Sequence, residues 1–510
     1  LMKQVLVTLN KGVNYEEFWD QLERDTTTDS SVDSNVVPDR TVDVSNRKPL
    51  SNRTTEYVLS DDEIARLKTD PRVMGIDVLP PEEAKQLFAT QTGVFARTNA
   101  INSSHINWAL RRCTQAVIET SPGGDYNYNL DGTGVDVVIQ DNGVMSGHPD
   151  FEDANGSTRF VEHDWYAVTG QSGSMNSNHY GDVGNHGTHV ASTVAGKLYG
   201  WAKNATIYSI RFDSSGGIAD GDEFDLIRLW HQQKSVDPNT GFKRPTIVNA
   251  SWGYRWYYPG YSSQGGSVTE VNYRGVDQGT SLNVDYGNKT PTHNMYGVTS
   301  IDAACEDLTD AGVIYVKAAG NYYHKQDIPS GADYDNYYTC STSWGGGQVS
   351  AGNPIYYHRP GSPHSNDAIV VGNISAFNTG TTQENVSGSS EKGPRIDCFA
   401  PGSYITAATN STGYSGKMNS YPGNSSYKIA KISGTSMASP QVCGVLALYL
   451  QVNPQATADQ CKKFLTDNSQ ALVDMGDSTG TDYSDNTSTQ GGPNRFLYFP
   501  WNSSNVLTIS

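Results

Sequence analysis

The chain has 510 residues and a formal net charge of −18, from 36 Lys and Arg against 54 Asp and Glu. So acidic a surface repels phosphate, which excludes non-specific binding to nucleic acid or anionic membranes. No apolar run reaches the roughly 18 residues of a membrane-spanning helix. The 51 Gly and 22 Pro predict frequent turns and long loops. Six cysteines, Cys113, Cys305, Cys340, Cys398, Cys443 and Cys461, are scattered without a CxxC pair. They predict mostly buried thiols, with one or two bridges, and no zinc ribbon.

Residues 3–9 alternate as a strand, so no secretory leader is visible at the start. In residues 15–24, Phe18, Trp19 and Leu22 fall at helical spacing. Residues 26–35 read as a loop and 36–44 as a strand. A further strand at 54–59 leads into Ser60 and Glu63, a capping box that opens a helix carrying Ile64 and Leu67. Pro71 stops that helix. Residues 73–79 form a strand with Met74, Ile76 and Val78 on one face. This order, βαββαβ, predicts a small ferredoxin-like α+β domain over residues 1–80. Residues 81–107 follow as a polar linker.

From 108 to 500 apolar strands alternate with helices, the pattern of an α/β domain whose mostly parallel sheet carries helices on both faces. Strands are expected at 135–139, 205–211, 246–250, 313–319 and 368–372, with helices at 189–196, 222–233, 300–310 and 436–451. Residues 493–501 read as a last docking strand, and 501–510 as a tail. Ligands of open α/β sheets bind beyond the carboxyl ends of the strands.

Three residues there suit acyl transfer. Asp141 ends a strand, where a turn role is the alternative. His186 precedes a helix; with His189 three residues on it offers a metal pair, but no HExxH and no third ligand accompany it. Ser436 opens an apolar helix, where capping is the alternative. A hydroxyl needs a base to become a nucleophile, an imidazole can be that base, and a carboxylate fixes its tautomer. The chain order Asp, His, Ser differs from the Ser, Asp, His of α/β-hydrolases.

The blocks VVIQDNGV at Asp141, HPDF at His148, NHGTHVAS at His186 and SGTSMASPQVCG at Ser436 resemble those of the subtilisin family of serine proteases. So do NASWG at 249–253, AAGN at 318–321 and CFAPG at 398–402. The resemblance implies a subtilisin-like fold and a serine endopeptidase with Asp141, His186 and Ser436 as its triad. It implies Asn321 as oxyanion donor, and Ser251, Trp252, Gly253, Ala318, Ala319 and Gly320 as the walls of a cleft for a polypeptide substrate. Residues 55–82 resemble the family's inhibitory propeptide, which implies a zymogen whose cleft is occupied by the C-terminal tail of its own front domain and which is cut between 81 and 108.

Departures from the family pattern are informative. Asn142 stands where Ser or Thr is usual, and its amide is expected to donate to the Asp141 carboxylate. The short 195–203 segment resembles the proteinase K branch, which lacks the calcium loop of subtilisins. Asp150 then reads as a turn residue. No cofactor is expected for the chemistry, and structural calcium is left without an assigned site. Insertions near 254–298 and 322–364 are rich in aromatics; they are expected to pack on the domain, with a protein partner as the alternative. A structural or assembly protein that keeps this fold, for example in a virion, is the competing function. The setting is accordingly secreted or virion-associated.

Overall fold

The protein is described here by a computed structural model, covering residues 2–23, 43–47, 50–51, 53–78, 85–87, 107–114, 128, 130–176, 178–212, 217–238, 240–261, 265–282, 286–287, 293–343, 350–375, 384–410, 414, 418–472 and 488–499.

The front unit runs β1 (Met2–Leu9), α1 (Tyr15–Glu23), β2 (Asp43–Arg47), β3 (Thr54–Ser60), α2 (Asp61–Leu67) and β4 (Val73–Asp77). Its antiparallel sheet has the order β2-β3-β1-β4, the expected split βαβ arrangement. Val5, Val7 and Leu9 pack with Phe18, Trp19, Leu22, Tyr57, Leu59 and Leu67 as one small core. The Ser60 and Glu63 capping box forms in both directions. The expected 26–35 loop and the first part of the 36–44 strand lie outside the described residues, and the described β2 begins only at Asp43. Met74 departs from its expected face. The pairing of β1 with β4 shifts register between Thr8 and Leu9, skipping Met74. A bulged residue leaves the alternation, so Met74 is exposed, and Val73 joins Ile76 and Val78 against the core.

The large domain is built on a seven-stranded parallel sheet. In spatial order its strands are Cys398–Pro401, Ile369–Ile374, Ile314–Ala318, Thr246–Ala250, Asp136–Asp141, Thr206–Arg211 and Phe160–Val161. Helices Gly187–Ala195 and Thr435–Val452 pack with one core cluster; Asp222–Gln233 and Thr299–Asp310 pack with the other. These are the expected α/β layers, with the strands buried almost throughout because both faces are covered. No helix among the described residues is long and apolar enough to cross a membrane.

Two expectations change and a third is met. All six cysteines are buried and unbridged; they fill the two cores as small apolar side chains. The 81–107 segment contains a strand, β5 (Lys85–Leu87). Finally, strands from the two insertions, Val276–Asp277 and Val268–Tyr273 from one, Tyr337–Cys340 and Ile355–Tyr356 from the other, join in one antiparallel sheet. Their Trp256, Tyr258, Tyr338 and Tyr357 are buried in the second core, which is the packing role expected of these aromatics.

The described part of the 493–501 run, 493–499, docks without a full strand, and the expected 501–510 tail lies outside the described residues. Phe496 bridges Phe399 and Gln470, is fully buried, and carries the Arg112 guanidinium 4.2 Å above its ring. Arg112 also grips buried Glu384 with two bonds of 2.5 Å. Phe496→Ala is therefore expected to cost about 3–5 kcal/mol in unfolding free energy by urea titration. A cost below about 1 kcal/mol would mean that this segment does not close the core.

Candidate active site

Three neighbouring strands of the sheet end at one edge, and each delivers part of the site. Strand Asp136–Asp141 ends on Asp141, which is fully buried. Strand Thr246–Ala250 leads into Ser251, and strand Ile314–Ala318 into Asn321. His186 immediately precedes the Gly187–Ala195 helix, and Ser436 lies in the first turn of the Thr435–Val452 helix; these two helices pack on each other.

The His186 Nδ1–H donates to the Asp141 carboxylate, 2.9 Å from Oδ1 and 3.0 Å from Oδ2. That bond fixes the tautomer and leaves Nε2 as the basic nitrogen. Nε2 is buried and has no hydrogen-bond partner. Asn142 does not donate its side-chain amide to Asp141, contrary to expectation. Its backbone N–H donates to Asp141 Oδ1 at 2.8 Å, and its side-chain Oδ1 accepts from Gly187 N at 3.0 Å. The asparagine therefore ties the aspartate turn to the start of the histidine helix. Gly143 follows with φ +102, and a Cβ there would stand 2.1 Å from Gly181 O, so only glycine fits this approach.

The Ser436 hydroxyl donates to the Ser251 carbonyl at 3.0 Å rather than to His186 Nε2. Ser251 has a second task. Pro440 has no N–H for the carbonyl of Ser436, four residues back. The Ser251 hydroxyl donates to that carbonyl instead, at 3.0 Å. The N-cap residue of the helix, Gly434, makes no side-chain bond, and the positive end of the helix dipole lies beside Ser436.

Asn321 lies beside this helix start. Its Oδ1 accepts from Thr435 N at 3.0 Å and from Thr435 Oγ1 at 3.2 Å, which makes Nδ2 the donor side. Thr435 Oγ1 also accepts from Gly320 N at 3.1 Å. Of the expected cleft residues, Trp252 presents backbone only. Its indole is fully buried and stacks on Phe212 at 4.6 Å. The backbone of Trp252, Gly253 and Tyr254 pairs antiparallel with Leu87, Gln86 and Lys85 of β5.

His189 does not share a site with His186. It is fully buried with Nε2 against the carbonyls of Ile405 and Ala430, and burial pushes its pKa down to about 3. Burial raises Asp182 to about 6, against the bonds it accepts from Thr188. Asp150 sits in the expected turn, fully buried, and accepts from Ser192 Oγ, Leu198 N and Tyr421 OH. Among the described residues no cluster of three or more His, Cys, Asp or Glu could hold a metal. Sequence reasoning missed Thr435 and the double role of Ser251, although both stand inside blocks that carried the resemblance.

Residues 132–495 match the model of the subtilase family. The chain belongs to the subtilase family. It is 28% identical over 440 residues to alkaline serine exoprotease A of Vibrio alginolyticus, covering 86% of this chain and 57% of that protein. It is also 28% identical over 403 residues to an extracellular serine proteinase of a Thermus strain, covering 78% of this chain and 67% of that one. The chain thus spans little more than half of the first relative's length. Fervidolysin from Fervidobacterium pennivorans, a keratinolytic enzyme related to subtilisin, aligns over 98% of this chain and 60% of its own, at 17% identity and a TM-score of 0.50; this likeness shows the fold.

A fluorophosphonate probe is expected to label Ser436 once the front unit is removed, and to label it far more slowly in His186→Ala. Equal rates in the two proteins would contradict activation of the serine by the histidine.

Proposed function

We propose that this subtilase is a serine endopeptidase made as a zymogen, with residues 1–80 as its inhibitory unit. The observation that carries the chemistry is the Asp141 to His186 bond, which leaves Nε2 buried and without a hydrogen-bond partner as the basic nitrogen. Ser436 turns from the Ser251 carbonyl to that nitrogen and attacks the scissile carbonyl, and His186 takes its proton. Asp141 stabilises the resulting imidazolium, and His186 then protonates the leaving amine. The oxyanion is held by Asn321 Nδ2 and the Ser436 backbone N–H. Water completes the cycle by hydrolysing the acyl-enzyme.

The zymogen reading is supported by β5. An extended peptide bound as an added strand is how a protease holds its substrate, and Lys85–Leu87 pairs in this way with the cleft strand. The front unit is anchored beside it. Asp77 Oδ2 accepts from Ser300 N at 2.9 Å and so caps the Thr299–Asp310 helix, whose own N-cap, Val298, provides no side-chain bond. Arg53 donates to the Ala303 carbonyl at 2.9 Å and pairs with Glu306 and Asp307 on that helix. Cleavage is accordingly expected shortly after Leu87. The short segment after the histidine helix, with Asp150 bonded to Ser192 and Leu198, supports placement in the proteinase K branch. Secretion is supported by the extracellular Thermus relative; nothing supports the virion setting or an assembly role.

Purified wild-type chain is expected to run as two fragments on a denaturing gel, and Ser436→Ala as one full-length band. A self-processed Ser436→Ala would sink the assignment. Asn321→Ala should lower kcat by about 10²–10³ with little change in KM, the size expected for one oxyanion donor. A loss below about threefold would remove Asn321 from that role.

A further inference from the structure

The peptidase reading leaves one fully buried acid unused. Glu391 lies directly behind the turn that carries Asn321. A Cβ on Gly320 would stand 2.7 Å from Glu391 Cγ, so the side chain is packed against the glycine backbone. Glu391 Oε1 accepts from Tyr322 N at 3.1 Å, and Glu391 N donates to Gly320 O at 2.9 Å. One residue thus grips the turn on both sides of Asn321. Neighbouring bonds run the same way: Tyr323 N to Ser389 O at 3.2 Å, Lys392 N to His324 O at 3.1 Å, and Gln326 N to Lys392 O at 2.6 Å. From the opposite side Thr435 holds Gly320 N and Asn321 Oδ1.

We infer that Glu391 is a positioning residue for the oxyanion donor, acting as a neutral carboxylic acid that holds the Gly320–Asn321–Tyr322 turn against Thr435. The inference rests on the peptidase reading above. Its chemical basis is that no positively charged group hydrogen-bonds the carboxyl. Oε2 is buried without a partner, and the donors that face the carboxyl are neutral, the backbone N–H groups of Tyr322 and His324. Lys392 and Lys317 lie nearby on two segments and Tyr322 and Tyr258 on two others. None of these side chains hydrogen-bonds the carboxyl, and Lys317 Nζ is committed to the carbonyls of Gly361 and Pro363. An ionised carboxylate so placed is strongly disfavoured by its desolvation, which favours the protonated acid. Burial accordingly raises its pKa well above the ordinary glutamate value. A neutral acid and a carboxamide have the same shape, and either can accept from Tyr322 N.

The turn matters only when negative charge develops on the substrate oxygen, so its loosening should affect kcat and leave KM alone. The test compares wild type, Glu391→Gln and Glu391→Ala in self-processed protein on one chromogenic peptide, with thermal unfolding measured alongside. Glu391→Gln is expected to keep kcat within about threefold of wild type, and Glu391→Ala to lose about tenfold or more at unchanged KM. A folded Glu391→Ala that keeps kcat within about threefold, or that changes KM alone, overturns the inference. So does a Glu391→Gln that loses about tenfold, since the charge would then be required. If Glu391→Ala does not fold, Glu391→Gln and Glu391→Met decide by the same criterion, Met keeping the volume and removing the acceptor. A wild type without turnover refutes the peptidase reading itself, an outcome distinct from all of these.

Discussion

Three parallel strands that end at one edge of a buried sheet are the constraint on which the site depends. Strands Asp136–Asp141, Thr246–Ala250 and Ile314–Ala318 are neighbours held in register by their backbone ladders. Residues far apart in sequence, Asp141, Ser251 and Asn321, are therefore delivered to one place by hydrogen bonds that involve no side chain. Two helices that start at the same edge then add His186 and Ser436. Parallel strands buried on both faces cannot slip without turning apolar side chains toward polar groups, and this gives the site its rigidity.

On that frame the polar groups are held by partners that have no direct part in the reaction. Asn142 bridges the aspartate and histidine turns, Thr435 bridges the serine helix and the Asn321 turn, and Ser251 replaces the backbone bond that Pro440 removes. Thr435 and Ser251 each make at least two bonds through a short hydroxyl side chain, and Asn142 makes one through its side chain and one through its backbone, so little rotamer entropy is lost on ordering. The cleft strand at Trp252 is fixed differently. Its indole is buried among Phe212, Phe224 and Tyr254, and its backbone edge pairs with β5. Occupation of that edge by β5, and of the Thr299–Asp310 helix by Asp77 and Arg53, joins the front unit to the same apparatus.

Much of this was legible in the sequence for physical reasons. Strand and helix periods, the Ser60 capping box and the order of Asp141, His186 and Ser436 are local signals. Short blocks around them carried the family resemblance. Other features required three dimensions. The bulge that exposes Met74 depends on which strand pairs with β4, and the Asn142 contact depends on where Gly187 lies. β5 was read as linker because a three-residue strand has too few residues to show a period. The sheet shared by the two insertions has both halves in loops about 70 residues apart, as in the pairing of Val271 with Tyr338. Glu391 gave no sign at all, because a charged residue in a polar stretch reads as surface until its burial is known.

The central claim is that Asp141, His186 and Ser436 act as one unit at the sheet edge. Kinetic additivity tests it most directly, by comparing kcat for His186→Ala, for Ser436→Ala and for the variant lacking all three side chains, each released from the front unit by added protease. If the residues act together, either single loss costs about as much as the triple loss, leaving a residual rate from the oxyanion site and substrate binding. Losses that multiply, with each single variant retaining a large share of the wild-type rate, would contradict the account.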